Sequence, residues 1–201
     1  MFWDKISPIY DVFLEIYNGK VYRETGEKVA EFIGNEDVVL ECACGTGAIS
    51  EYIAQKCKKL VATDYASGML RQTAKKCSKF DNVMVRKADI TNIKCRDERF
   101  DKVVAGNVIH LLPEPEKVLR ELERVVKPGG MIIIPTYINK ANRISTITAK
   151  FFTLLGADFK RQFDPESYKR FFEEKGYTNA EYYIVDGRMP CAIAVIRKKE
   201  S

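Results

Sequence analysis

The residues best placed to do chemistry are three acids and one glycine turn. Val38-Val39-Leu40-Glu41-Cys42-Ala43-Cys44-Gly45-Thr46-Gly47-Ala48 reads as an apolar strand that runs into a glycine-bearing turn and then a helix. Glycine lets a ligand approach the backbone where a side chain would collide with it. Glu41 ends this strand, Asp64 ends the next apolar run 17 residues after Gly47, and Asp89 ends the one after that. In an open α/β sheet, ligands sit outside the carboxyl ends of the strands, beside the topological switch point. A pyrophosphate suits such a site badly. Glu41 would oppose it, and Ser50 stands where a dinucleotide fingerprint counted from Gly45 requires Gly or Ala.

Three strand-end carboxylates suit a ligand with hydroxyls, an amine and an exocyclic NH₂ but little negative charge. S-adenosylmethionine has that chemistry, being cationic at sulfur and at its amine and free of phosphate. Methyl displacement at a sulfonium needs no nucleophilic residue; a base is needed only where the acceptor must lose a proton. His110, the sole histidine, follows the fourth strand at the same edge. It is either a proton acceptor or a packing residue. Tyr10 and Tyr17 of the N-terminal segment are alternative polar groups, or equally aromatic packing.

Positioning these groups requires a parallel sheet. From Val38 onward, β-branched runs alternate with amphipathic stretches, and the expected strands are Val38–Glu41, Leu60–Asp64, Val83–Lys87, Phe100–Asn107, Met131–Thr136, Glu181–Val185 and Cys191–Arg197. The clearest helix follows Pro115, where Val118, Leu119, Leu122, Val125 and Val126 share one face before Lys127-Pro128-Gly129-Gly130 stops it. A short Asp186–Pro190 connection predicts an antiparallel C-terminal hairpin. The expected fold is therefore a doubly wound, seven-stranded, mostly parallel α/β sheet with helices on both faces. Two N-terminal helical segments either pack on the sheet's helices or act as a lid. The apolar stretch between Tyr137 and Asp164, with Ile147, Phe151, Phe152, Leu154 and Leu155, predicts a helical insertion that covers a pocket or meets a partner chain.

At 201 residues and 46% hydrophobic content, one domain is expected. Within it, 1–36 form the N-terminal helical lid, 37–136 the cofactor-binding core, 137–164 the insertion, and 165–201 the C-terminal helix and hairpin. The net charge of +5 is dispersed apart from Arg197-Lys198-Lys199, so nucleic acid is not an expected partner. Met1-Phe2-Trp3-Asp4-Lys5-Ile6 and the early Pro8 do not resemble a secretory signal, and the longest apolar runs are far short of a membrane span, which points to the cytoplasm. Six cysteines without a CxxC pair read as reduced thiols, with no metal site expected.

From Val38 to Gly130 the sequence resembles the class I S-adenosylmethionine-dependent methyltransferases, in particular the small-molecule branch that includes the ubiquinone/menaquinone methyltransferases. The matching stretches are Glu41 to Gly47, Asp64 to Leu70, Ala88-Asp89-Ile90, Phe100 to His110 and Lys127 to Gly130. The resemblance implies a Rossmann-like fold and S-adenosylmethionine as cofactor. It places the methionine moiety on the Ala43, Gly45 and Gly47 turn, the ribose on Asp64 and the adenine amine on Asp89. Tyr65 and Met69 would line adenine and ribose, Ile90 would offer backbone contacts, and Asn107 would present its main chain to the methionine end. Ala43 departs from the family's usual glycine, for which a slightly tighter turn with retained binding is expected. The resemblance implies a small-molecule acceptor, and the apolar stretch from Tyr137 to Leu155 with the aromatic N-terminal helix predicts an apolar or aromatic one. Two other readings share these features: an RNA or DNA methyltransferase, whose usual Asn/Asp-Pro-Pro-aromatic motif is not matched by Asn107-Val108-Ile109-His110, and a non-catalytic S-adenosylmethionine-binding protein.

Overall fold

The computed structural model describes residues 2–139 and 160–200. Phe151 and Phe152, with most of the expected insertion, lie outside the described residues. The chain begins with α1 (Phe2–Ala30), β1 (Val38–Cys42), α2 (Ser50–Ala54), β2 (Lys59–Asp64), α3 (Ser67–Lys76), β3 (Val83–Lys87) and β4 (Phe100–Ala105). After a 3₁₀ turn at Ile109–Leu111 come α4 (Pro115–Val125), β5 (Val126–Tyr137), α5 (Pro165–Glu173), β6 (Glu181–Val185) and β7 (Cys191–Arg197).

The strands form one sheet in the order β3-β2-β1-β4-β5-β7-β6. β1 to β5 are parallel, while β7 runs antiparallel to both β5 and β6. The expected doubly wound sheet and its C-terminal hairpin are both present. Two strand ends differ from expectation by more than one residue. β4 stops at Ala105 because Asn107 adopts a left-handed φ of 52° that turns the chain out of the sheet. β5 starts at Val126, not Met131: Val126 pairs with Phe100 and Met131 with Lys102, so Lys127 to Gly130 bulges between them, with the Gly129 N–H donating to the Lys198 carbonyl.

Strand alternation divides the interior into two cores. Leu40, Val103, Ile132 and Ile134 face α4 and α5, packing on Val118, Leu119, Leu122, Tyr168 and Phe172. Val39, Val104, Ile133 and Ile193 face the other side, against Val21, Val29, Ile49 and Ile53. Because successive strand residues point to opposite faces, a sheet buried on both sides must be apolar throughout, as these strands are. α4 carries the helical face expected for it, with Pro115 in its first turn, where the missing N–H has no cost.

α1 contains the two helical segments that the sequence predicts, joined at a kink. Asn18 has non-helical φ and ψ of −143° and 27°. Its buried side chain donates to the Met189 carbonyl at 2.7 Å and accepts from the Met189 N–H at 3.2 Å, so the β6–β7 connection holds the kink. No helix among the described residues is long and apolar enough to cross a membrane.

Candidate functional site

The sheet reverses direction of winding between β1 and β4, and the carboxyl ends of these two strands open the switch-point crevice. A cleft of about 350 Å³ lies there. Ala43, Gly45, Asp64, Tyr65, Met69, Asp89, Ile90 and Asn107, all singled out in the sequence, line it together. A smaller recess of about 60 Å³ adjoins it, sharing Ala43, Gly45, Gly106 and Asn107 and reaching Glu41, Thr46, Tyr22 and Thr25. Among the described residues, neither set of lining residues contains a lysine or arginine.

The turn after β1 is built from left-handed residues: Ala43 at φ 53°, Gly45 at 56° and Gly47 at 83°. A side chain at Gly45 would meet nothing within 4 Å and would project into open space, so a ligand can lie directly on this backbone. Gly47 is needed for a different reason, since a Cβ there would come within 3.1 Å of the Thr73 Cα. Ala43 takes a conformation that disfavours L side chains, so its departure from glycine costs backbone strain more than steric crowding.

Asp64 ends β2 with both carboxylate oxygens engaged: Oδ2 accepts from the Gly45 N–H at 2.9 Å and Oδ1 from the Ala66 N–H at 2.8 Å. These bonds fix the carboxylate beside the turn, and each oxygen keeps a further lone pair for a ligand hydroxyl. Burial pushes its pKa up, against the pull of those backbone donors. Asp89 lies two residues past β3 and is exposed; its Oδ1 accepts from the Thr91 N–H and hydroxyl at 2.8 and 2.7 Å. Glu41 is only 2% exposed, and Ser50 Oγ donates to its Oε2 at 2.5 Å. With one hydroxyl for company, burial pushes the Glu41 carboxyl up to about 8.

Asn107 ends β4 with its N–H donated to the Pro135 carbonyl at 2.8 Å and its Oδ1 accepting from the Tyr137 N–H at 3.0 Å. Its main-chain N–H is therefore engaged within the sheet rather than free for a ligand. Tyr65 is 53% exposed at the rim, with Lys87 Nζ 5.3 Å from its ring centroid. Met69 is buried against Ile6, Ala66 and Trp3.

His110 and Tyr17 do not line either cavity. Burial lowers the His110 pKa to about 4, leaving a neutral imidazole that is a weak base near pH 7. Its carbonyl accepts from the Lys160 and Arg161 N–H groups, each at 3.1 Å. Tyr17 is half-buried beneath the Arg188 guanidinium, 5.0 Å from the ring centroid. The side chain of Tyr10 lies outside the described residues.

Sequence reasoning missed several lining groups. Trp3, Val108, Leu111 and Leu112 form an apolar wall of the cleft, and Thr91 and Gly106 complete it. Trp3 arrives from the far N-terminus because the first turn of α1 packs on α3: Asp4 Oδ1 accepts from the Gly68 N–H at 2.6 Å, and a Cβ on Gly68 would come within 2.8 Å of the Asp4 Cα. The available signal was the single tryptophan of the chain beside an acid at the start of the N-terminal helical segment.

Residues 40–134 match the family described as "Methyltransferase domain". A demethylmenaquinone methyltransferase of Clavibacter sepedonicus is 35% identical over 136 residues, covering 66% of this chain and 55% of that protein. One from Staphylococcus aureus (strain JH9) is 24% identical over 202 residues, covering 88% and 83% respectively. The chain spans about half the length of the first of these relatives. Among solved structures, a SAM-dependent methyltransferase of Thermotoga maritima aligns with a TM-score of 0.74 at 17% identity over 98% of this chain and 99% of that one. Haemonchus contortus phosphoethanolamine N-methyltransferase 2, solved with S-adenosyl-L-methionine, aligns with a TM-score of 0.70 at 12% identity over 88% and 53%. Both show the same fold.

Proposed function

We propose that this chain is an S-adenosylmethionine-dependent methyltransferase that moves a methyl group from this cofactor to a small-molecule acceptor by in-line displacement, a reading supported by the match of residues 40–134 to a methyltransferase domain and by the relatives and folds it resembles. The observation that carries the reading is the donor set of the cleft: strand-end carboxylates and a left-handed glycine turn, with no lysine or arginine among the described lining residues to hold a phosphate. Such a lining fits a cationic ligand free of phosphate. The cofactor supplies an electrophilic methyl on sulfur.

The chain's own task is binding and alignment, because holding an acceptor atom about 3–3.5 Å from the methyl in the right line provides most of the acceleration in a displacement of this kind. In this reading Asp64 accepts from the ribose hydroxyls, and the Asp89 oxygen not held by Thr91 meets the adenine amine. Tyr65, Met69 and Ile90 border adenine and ribose. The Ala43 to Gly47 turn, Glu41 and Asn107 face the methionine end. His110 and Tyr17 are packing residues, which leaves proton removal, where an acceptor needs it, to solvent or to the acceptor itself. The apolar wall of Trp3, Val108, Leu111 and Leu112 favours an apolar or aromatic acceptor. Relatives named for demethylmenaquinone make a quinone of that type the first acceptor to assay.

S-adenosylhomocysteine at about a hundred times its dissociation constant should add about 2.7 kcal/mol of stability, read as a melting temperature several degrees higher. NADH should add nothing. Asp64→Ala should abolish the shift, while Asp97→Ala, at an exposed acid paired with Arg124, should keep it. A shift with NADH alone, or equal shifts in both variants, would sink this assignment.

A further inference from the structure

Four parts of the chain converge on one carboxylate outside the cleft. Asp11, on the first half of α1, accepts through Oδ1 from the Thr46 hydroxyl of the glycine turn and from the Tyr22 hydroxyl at 3.0 Å. Its Oδ2 accepts from Lys76 Nζ, at the end of α3, at 2.7 Å, and Lys76 also donates to the Tyr22 hydroxyl at 3.1 Å. Tyr22 lies beyond the Asn18 kink, so its bond to Asp11 spans the break between the two halves of α1. Tyr22 and Thr46 both line the recess at the turn. Seven residues before Asp11, Asp4 holds the Gly68 N–H at the start of α3, eight residues before Lys76. The first half of α1 therefore runs alongside α3 and is pinned to it at both ends.

The geometry points to the first half of α1 as a latch on the cofactor site, pivoting at Asn18, with Asp11 the positioning residue that ties the glycine turn to Lys76 and Tyr22. This rests on the reading of the cleft as the cofactor site. Pinning Thr46 from outside holds the left-handed turn in its binding conformation, and Trp3, carried on the same half-helix, stands in the cleft only while the latch is made. Release of a bound molecule requires the Asp11 bonds to part. Because Lys76 and Asp11 keep 23% and 33% of their side chains exposed, the ion pair is open to screening by salt.

Trp3 is the only tryptophan, so its fluorescence reports binding of S-adenosylhomocysteine in stopped flow. Asp11→Asn and Lys76→Met should each raise the dissociation rate of S-adenosylhomocysteine roughly tenfold with a smaller change in association, the scale of losing one charge-assisted bond. About 1 M salt should speed release from the unaltered protein but not from Lys76→Met. Glu36→Gln, which breaks an exposed pair with Lys58 away from α1, should change neither rate. Unchanged dissociation in both latch variants, with or without a lower melting temperature, makes Asp11 a structural strut and overturns the latch alone. No binding of S-adenosylhomocysteine to the unaltered protein overturns the cofactor site itself. Should Asp11→Asn not fold by circular dichroism, Lys76→Met and the salt series decide the matter.

Discussion

Glu41 and Asp64 stand on neighbouring strands and differ in how their charge is satisfied. Backbone donors at Gly45 and Ala66 hold the Asp64 carboxylate, whereas Glu41 has only the Ser50 hydroxyl in a buried setting. The Glu41 carboxyl moves from its ordinary 4.5 to about 8. A carboxyl whose folded pKa is raised contributes stability fully below its unfolded pKa, and that contribution is lost as pH rises through the folded pKa. Glu41→Gln should remove this dependence, so its advantage in urea unfolding over the unaltered protein should grow from pH 5 to pH 8 and level off above. An advantage that is constant across that window would mean that Glu41 is not buried as described. Both acids were legible in the sequence because a strand end before a glycine turn fixes where its side chain must sit. Asp11 and Trp3 were not, since the glycine turn and α3, on which Asp11 and Trp3's neighbour Asp4 dock, lie 35 and more residues away and no local pattern marks the pairing.

The helix that brings those distant groups in is α1. Its break was readable in outline, because Asn18 and Gly19 are weak helix formers in the middle of an apolar pattern. What held the break was not readable, since the partner is the backbone of Met189. Asn18→Ala should leave the Met189 N–H and carbonyl without that partner and cost about 1–3 kcal/mol. A melting temperature lower by several degrees is expected, together with faster amide exchange in residues 2–17. If neither changes, the kink does not depend on Asn18. The strands were placed closely by pattern, and the exceptions were conformational: Asn107 leaves the sheet early, and the Lys127 to Gly130 stretch, which reads as a helix stop, also begins a strand.

At the scale of the whole molecule, both cores share one sheet, so neither face can be stripped without exposing the other side's strands. We therefore expect one domain and a single urea transition, with Trp3 fluorescence and far-ultraviolet circular dichroism coinciding. Separate midpoints would assign α1 and the sheet to independent units. The position of β7 adds one consequence for how the fold is completed. β5 is completed only by β7, whose first residue follows its last by 54 positions, and the α1 kink is completed only by Met189, 171 residues after Asn18. Contacts of such separation carry a loop-closure cost and form only once the chain beyond residue 189 exists. β1 to β4 with their helices can assemble from the chain up to residue 105, but the kink in α1 and the outer edge of β5 stay without partners until residues 189–197 are present, so a chain cut short before residue 189 should unfold at lower urea than the intact one.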